Sequence, residues 1–269
     1  MARATGLSTV EMLVSGLDHP EGVTIDTNGV VYAGGEAGQV YRVTPTGQLE
    51  EIANTGGFNL GLCVAPSGAV LIADTTNRTI WSWTEATGLS VLLASSDEAS
   101  FVHPNAIAAA SHGIYFSDSG NWLQADGTIW LIAEDGSART VTDEANRYTN
   151  GLAVSPDGQW LYAVESNFGV VRLRIADDGS LGAAETVLEL ADDVPDGVAF
   201  APSGDLYVSF YQPNSVGRLT VDGEWSIVLN DPQAQLLSMP TNVAFLPDGR
   251  MVIANLGGWH LAVSTIAAR

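Results

Sequence analysis

Residues 149–166 read Thr149-Asn150-Gly151-Leu152-Ala153-Val154-Ser155-Pro156-Asp157-Gly158-Gln159-Trp160-Leu161-Tyr162-Ala163-Val164-Glu165-Ser166. Two short apolar runs, 152–154 and 160–164, flank Asp157-Gly158, a pair that supplies the positive φ a tight turn needs, so the stretch predicts a β-hairpin. The same unit recurs over residues 19–34, 59–74, 104–118, 195–209 and 240–255. Asn28-Gly29, Ser67-Gly68, His112-Gly113, Ser203-Gly204 and Asp248-Gly249 close these other copies. Aligning on the turn glycines brings Glu21, Leu60, Asn105, Asn150, Asp196 and Thr241 into register, at spacings of 39 to 46 residues.

A repeat of that length built from short strands and glycine turns signals a β-propeller, one four-stranded blade per repeat. Thr46-Gly47, Thr87-Gly88, Asp135-Gly136, Asp178-Gly179 and Asp222-Gly223 mark a second hairpin in five repeats. The sixth has none, and residues 9–17 match a fourth strand. The expected fold is therefore an all-β, six-bladed propeller whose last blade is closed by the N-terminal strand, which removes its exposed edge. Residues 9–269 are assigned to this one domain and residues 1–8 to a loose terminus.

Ten basic and 31 acidic residues give a formal charge of −21. That balance argues against nucleic acid and anionic membranes as partners and favours cations. All the basic residues are arginine, which excludes a lysine Schiff base, a pyridoxal-phosphate lysine and a P-loop. No Gly-x-Ser-x-Gly elbow occurs. The single cysteine, Cys63, permits no internal disulfide and reads as packing. No run is long enough to span a membrane, and residues 1–10 lack a signal-peptide core, so the expected location is the cytoplasm. The sequence leaves the oligomeric state open.

In a propeller the aligned positions surround the central channel at one face. Glu21, Asn105, Asn150 and Asp196 there present two anionic and two neutral oxygen ligands. Such a hard, irregular set suits Ca²⁺ ahead of Mg²⁺ or Mn²⁺, and Zn²⁺ finds no His or Cys in the ring. Open coordination positions would let the cation act as a Lewis acid on a carbonyl or phosphoryl oxygen. Leu60 offers no oxygen; Thr241 or Asn242 reaches the channel in the sixth repeat. His103 stands two residues before its ring position, and Trp122 lies in a long connection placed to form a rim. Phe58, Phe101, Tyr148, Phe168, Tyr211 and Trp259 fall in connections on the same face, which implies an apolar body on the ligand where they line a pocket. Asp74, Asp118 and Glu165 read as caps for backbone amides.

Pro20-Glu21-Gly22, Pro104-Asn105, Asn150-Gly151-Leu152 with Ser155-Pro156-Asp157-Gly158, and Pro195-Asp196-Gly197 resemble the SMP-30/gluconolactonase/LRE-like propellers, which include calcium-dependent lactonases related to diisopropylfluorophosphatase and paraoxonase. The resemblance implies that Glu21, Asn105, Asn150 and Asp196 bind the catalytic cation. Gluconolactonases of the family usually carry Asp after the third-blade Asn and Arg two residues before it; here those places hold Ala106 and His103. The runs 114–118 and 164–166 also look like strictosidine-synthase-like propellers. The expected function is divalent-metal-dependent hydrolysis of a lactone or related ester. Asp196 or His103 would activate water, and His103, Trp122, Tyr148, Phe168, Tyr211, Asn242 and Trp259 would contact the substrate. Alternatives are lyase, isomerase or cyclase chemistry with the same cation, or a non-catalytic ligand-binding propeller with a structural ion.

Overall fold

The computed structural model describes residues 5–190 and 192–267. Strands arrange into six antiparallel four-stranded sheets. Blade one is Val23–Ile25, Val31–Gly34, Gln39–Val43 and Leu49–Asn54. The inner strands of blades two to six are Asn59–Val64, Pro104–Ala110, Thr149–Val154, Val194–Phe200 and Pro240–Phe245. Each is followed outward by its hairpin partner and, in blades two to five, by two more strands of the same repeat. The turn reading holds at Gly158, whose φ of 70° is the left-handed conformation that favours glycine.

Six apolar clusters hold the ring together, each between consecutive blades. Tyr115, Ile129 and Leu131 of blade three meet Leu161, Val171 and Leu173 of blade four, and Val252, Leu261 and Val263 of blade six meet Val31 and Tyr41 of blade one. Stability is thus distributed over repeated seams, and the blade six to blade one seam is what closes the circle.

Blade six takes its outer strand from the other end of the chain: Val10–Ser15 pairs antiparallel with His260–Ser264, from Val10 opposite Ser264 to Ser15 opposite His260. The expected loose terminus is corrected over residues 5–8. Thr5 and Asn230 exchange backbone hydrogen bonds of 3.0 and 2.9 Å, and Leu7 packs on the seam between blades five and six, near Leu229 and Val10. The physical reason is that the closing strand must be delivered to the rim of blade five first. Residues 1–4 lie outside the described residues. No described helix is long and apolar enough to cross a membrane.

Removal of residues 1–17 strips the outer strand from blade six and exposes the backbone groups of His260–Ser264. The truncated chain is expected to lose its cooperative thermal transition, because an unpaired apolar edge invites association in place of folding. Circular dichroism melts of the soluble fraction check this; a truncated protein that melts cooperatively like the full chain would show that closure does not depend on this strand.

Candidate functional site

The ring residues are aimed by a recurring irregularity in the inner hairpins. In blade four Thr149 faces Glu165 and Leu152 faces Ala163, so Asn150 and Gly151 together oppose Val164. The same two-against-one count places Leu60 and Gly61 opposite Ala73, Asn105 and Ala106 opposite Ser117, and Asp196 and Gly197 opposite Ser209. A bulge of this kind bends the strand and redirects a side chain. The glycine after the ring residue has its own cause, which is close approach of neighbouring blades. A Cβ on Gly151 would lie 2.6 Å from the carbonyl oxygen of Asp196, and one on Gly197 would collide with the carbonyl of Thr241.

Serines next to the bulges fasten blade three to blade four and blade five to blade six. Ser117 Oγ accepts from the Ala106 amide at 2.9 Å and donates to the Asn150 carbonyl at 2.8 Å. Ser209 Oγ accepts from the Gly197 amide at 3.1 Å and donates to the Thr241 carbonyl at 2.8 Å. Thr241 Oγ1 in turn donates to the Glu21 carbonyl at 2.8 Å. Its side chain therefore ties blade six to blade one and leaves the ring.

Two further serines orient the ring amides. Ser119 Oγ donates its only proton to the Thr149 carbonyl at 2.7 Å, so it accepts from Asn105 Nδ2 at 3.0 Å. That fixes the amide with nitrogen outward and Oδ1 toward the channel. Asn150 Nδ2 donates to Ser166 Oγ at 3.2 Å and is turned the same way.

Among the described residues six buried side-chain polar atoms lack a hydrogen-bond partner, and four of them are Glu21 Oε2, Asn105 Oδ1, Asn150 Oδ1 and Asp196 Oδ1. All four residues are at most 5% exposed and line one cavity of about 340 Å³. Burial, with the Asp196 charge beside it, holds the Glu21 carboxyl well above the usual carboxylate range. Burial likewise pushes Asp196 up to about 8, against a smaller opposing hydrogen bond from the Asn150 side chain. Two carboxylates and two amide oxygens, converging and unsatisfied, fit a hard divalent cation: it would supply the missing partners and the opposite charge. No Cys or His is among them, which disfavours Zn²⁺.

His103 and Tyr148 stand beside the ring, with Tyr148 Oη 3.5 Å from His103 Nε2. Burial pulls the imidazole below its ordinary value, partly offset by Asp118, so His103 is neutral at pH 7. Burial raises the Tyr148 phenol to about 12, with the Asp196 and Glu21 charges adding to it. Both loops are clamped by buried carboxylates. Asp118 accepts from the Val102 and His103 amides at 2.9 and 2.7 Å. Glu165 accepts from the Asn146 and Arg147 amides at 2.9 and 2.8 Å and pairs with the Arg147 guanidinium at 2.9 Å. Tyr148, next in the chain, adopts φ 61°. The capping reading of Asp118 and Glu165 thus holds, with the caps serving the loop before the inner strand. Asp74 caps Asn77 in the following turn at 2.9 Å.

Of the expected contact residues, His103, Trp122, Tyr148 and Tyr211 line the cavity. Three are placed elsewhere. Phe168 lies under the Arg147 guanidinium, 3.4 Å from its Cζ. Trp259 is 65% exposed and donates to His19 Nε2 at 2.9 Å. Asn242 borders the central channel further along the inner strands. Phe101 is core, edge-on to Phe116. Sequence reasoning passed over Val194 and Leu256 in the wall and the orienting serines; a serine two residues after Ser117 and one directly after Glu165 was the available signal.

The chain is 35% identical over 133 residues to a 6-deoxy-6-sulfogluconolactonase of Pseudomonas putida, covering 44% of each chain. It is 23% identical to the adipocyte plasma membrane-associated protein of Gallus gallus over 87% of its own length and 64% of that protein's. The chain spans 40% to 64% of the length of the curated relatives it matches. A gluconolactonase from Xanthomonas campestris has the same fold, with a TM-score of 0.80 at 18% identity over 98% of this chain and 94% of that one. The family described as SMP-30/gluconolactonase/LRE-like region matches residues 19–255. A match over nearly the whole propeller, containing every residue of the oxygen ring, means that the chain belongs to the SMP-30/gluconolactonase/LRE-like family.

Proposed function

We propose that the protein is a divalent-cation-dependent hydrolase of a lactone or related ester, with Ca²⁺ as the cation. The observation that carries this reading is the set of four unpartnered oxygens on Glu21, Asn105, Asn150 and Asp196 at the floor of one cavity. Family membership and the sulfogluconolactonase relative support lactone chemistry.

A cation held by these four residues supplies Lewis-acid polarisation of the substrate carbonyl. The chain's own groups do the rest. Water adds to the carbonyl carbon while the Asp196 carboxylate or His103 takes its proton; the ester C–O bond then breaks and that proton passes to the leaving oxygen. His103 suits the acceptor role because burial keeps it neutral. Tyr148, Trp122 and Tyr211 shield the reacting atoms from bulk water.

Titrating metal-free protein with Ca²⁺ is expected to raise the melting temperature by roughly 5 °C or more at saturation, since a ligand at about 100 times its dissociation constant adds about 2.7 kcal/mol. The gain depends on pH. In the metal-free fold Asp196 binds its proton more tightly than in the unfolded chain, with a pKa of about 8 against 3.8. Its contribution to stability is therefore full below about pH 4 and is lost as pH rises towards about 8. The cation removes that loss, so the Ca²⁺-induced shift should grow from about pH 5 to about pH 8. A melting curve indifferent to Ca²⁺ across this window removes the basis of the mechanism.

Asn150 and Asp196 separate metal holding from proton transfer. Asn150→Ala deletes a neutral oxygen, so activity should fall and be partly restored by excess Ca²⁺. Asp196→Asn keeps an oxygen but loses the charge and the basic site, so turnover should stay about 10²- to 10⁴-fold down at saturating metal. If Asp196→Asn regains wild-type turnover under saturating Ca²⁺, the proton acceptor is not Asp196, and His103→Ala should then show the larger loss.

A further inference from the structure

Above the oxygen floor the cavity wall is apolar. Phe58, Leu60, Trp122, Val194, Tyr211 and Leu256 contribute to it from four of the six blades. Its polar side-chain atoms are few and partly engaged. Ser166 Oγ accepts from Asn150 Nδ2, and the Tyr148 hydroxyl and His103 Nε2 face each other at 3.5 Å. No arginine lines the cavity among the described residues. Arg147, from the loop that carries Tyr148, is committed to Glu165 at 2.9 Å and stacked on Phe168.

The rim is preorganised as well as apolar. Asn121 and Asp126 close the loop between them, with Asp126 Oδ1 accepting from the Asn121 amide at 2.8 Å and Oδ2 from its Nδ2 at 2.6 Å. That closure presents Trp122 and Leu123, 48% and 76% exposed, with the indole edge-on to Tyr148 at a ring separation of 4.7 Å. Two large apolar side chains left in water beside a cavity are an unspent hydrophobic contact.

We infer that this site takes a neutral lactone or ester with an apolar body, an alkyl or aryl substituent lying against Trp122, Tyr211 and Leu256, and that it rejects polyhydroxylated and anionic sugar lactones. The inference rests on the lactone and ester reading above and deepens it. A sugar lactone would bring several hydroxyls to a wall with few free hydrogen-bonding partners, each unpaired group opposing binding. A sulfonate, phosphate or carboxylate on the ligand body would meet no arginine on the wall among the described residues, and the charge of the proposed cation is already matched by the two buried carboxyls. An alkyl chain instead gains with each methylene it buries.

The test uses the full chain in saturating Ca²⁺ with γ-butyrolactone, γ-hexalactone, γ-decalactone and D-glucono-δ-lactone. Binding of 2-hexylcyclopentanone, which cannot be hydrolysed, is followed in parallel by tryptophan fluorescence and calorimetry. The expected result is kcat/KM rising along the alkyl series, with γ-decalactone at least ~10-fold above the sugar lactone. Trp122→Ala should flatten that chain-length dependence and weaken the ketone by about 10-fold. Preference for D-glucono-δ-lactone overturns the substrate class and leaves the hydrolase reading standing. Ketone binding that depends on Trp122, without turnover of any lactone, supports the apolar-ligand inference and removes the hydrolase reading. Absence of ketone binding by a folded, Ca²⁺-responsive protein overturns the inference.

Discussion

The rest of this propeller is arranged around four buried oxygens, one on each of two carboxyls and two amides, that have no hydrogen-bond partner among the described residues. A carboxylate taken out of water costs several kcal/mol unless it is paired. Asp118 and Glu165 are as deeply buried as Glu21 and Asp196, yet their oxygens are filled by backbone and arginine donors. In the ring pair one oxygen of each carboxyl lacks such a donor. Keeping these groups together requires rigidity from elsewhere, and it comes from three devices: the bulges that aim them, the serines that lace neighbouring inner strands, and the six apolar seams behind. A blade that slipped outward would separate the oxygens, so closure by Val10–Ser15 bears on the site as much as on stability.

The clamps on the pocket loops extend the same logic to the neutral groups. Asp118 and Glu165 occupy corresponding ends of second strands and seize the loop that enters the inner strand of the same blade. By filling their own lone pairs they also fix His103 and Tyr148 beside the ring. The φ of 61° at Tyr148 is a conformation that a bulky residue adopts only when its surroundings impose it. Glu165, holding the two residues before it, is the surrounding that does so.

The repeat, the blade count, the closing strand and the four oxygen positions were legible because each is a one-dimensional pattern: a turn glycine, a spacing, an alternation. Which side chain faces the cavity is set by bulges and seams that no local pattern announces. Phe101 and Tyr148 occupy comparable entry loops, but Phe101 meets Phe116 and Trp130 in a seam while Tyr148, two residues from its ring neighbour, is turned by its positive φ into the pocket. Phe168 was diverted by a guanidinium that needed a face to cover, and Trp259 by a hydrogen bond to His19. The orienting serines were hidden for a different reason, since a serine at a strand end is common and its meaning here lies in a partner one blade away.

Only four of six aligned positions carry unpartnered side-chain oxygens, and the two exceptions give the site its direction. Thr241 spends its hydroxyl on the Glu21 backbone, and Leu60 meets the cavity with an apolar side chain. Oxygens therefore come from blades one, three, four and five, while Phe58 and Leu60 of blade two and Leu256 of blade six supply apolar wall. A symmetric ring of six oxygens would surround an ion and leave no preferred side for a ligand. Breaking the symmetry at blades two and six lets apolar side chains meet the cavity beside the oxygens, together with Trp122 of blade three and Tyr211 of blade five. A molecule with a reactive carbonyl at one end and an apolar body at the other is oriented by that contrast before any specific hydrogen bond forms.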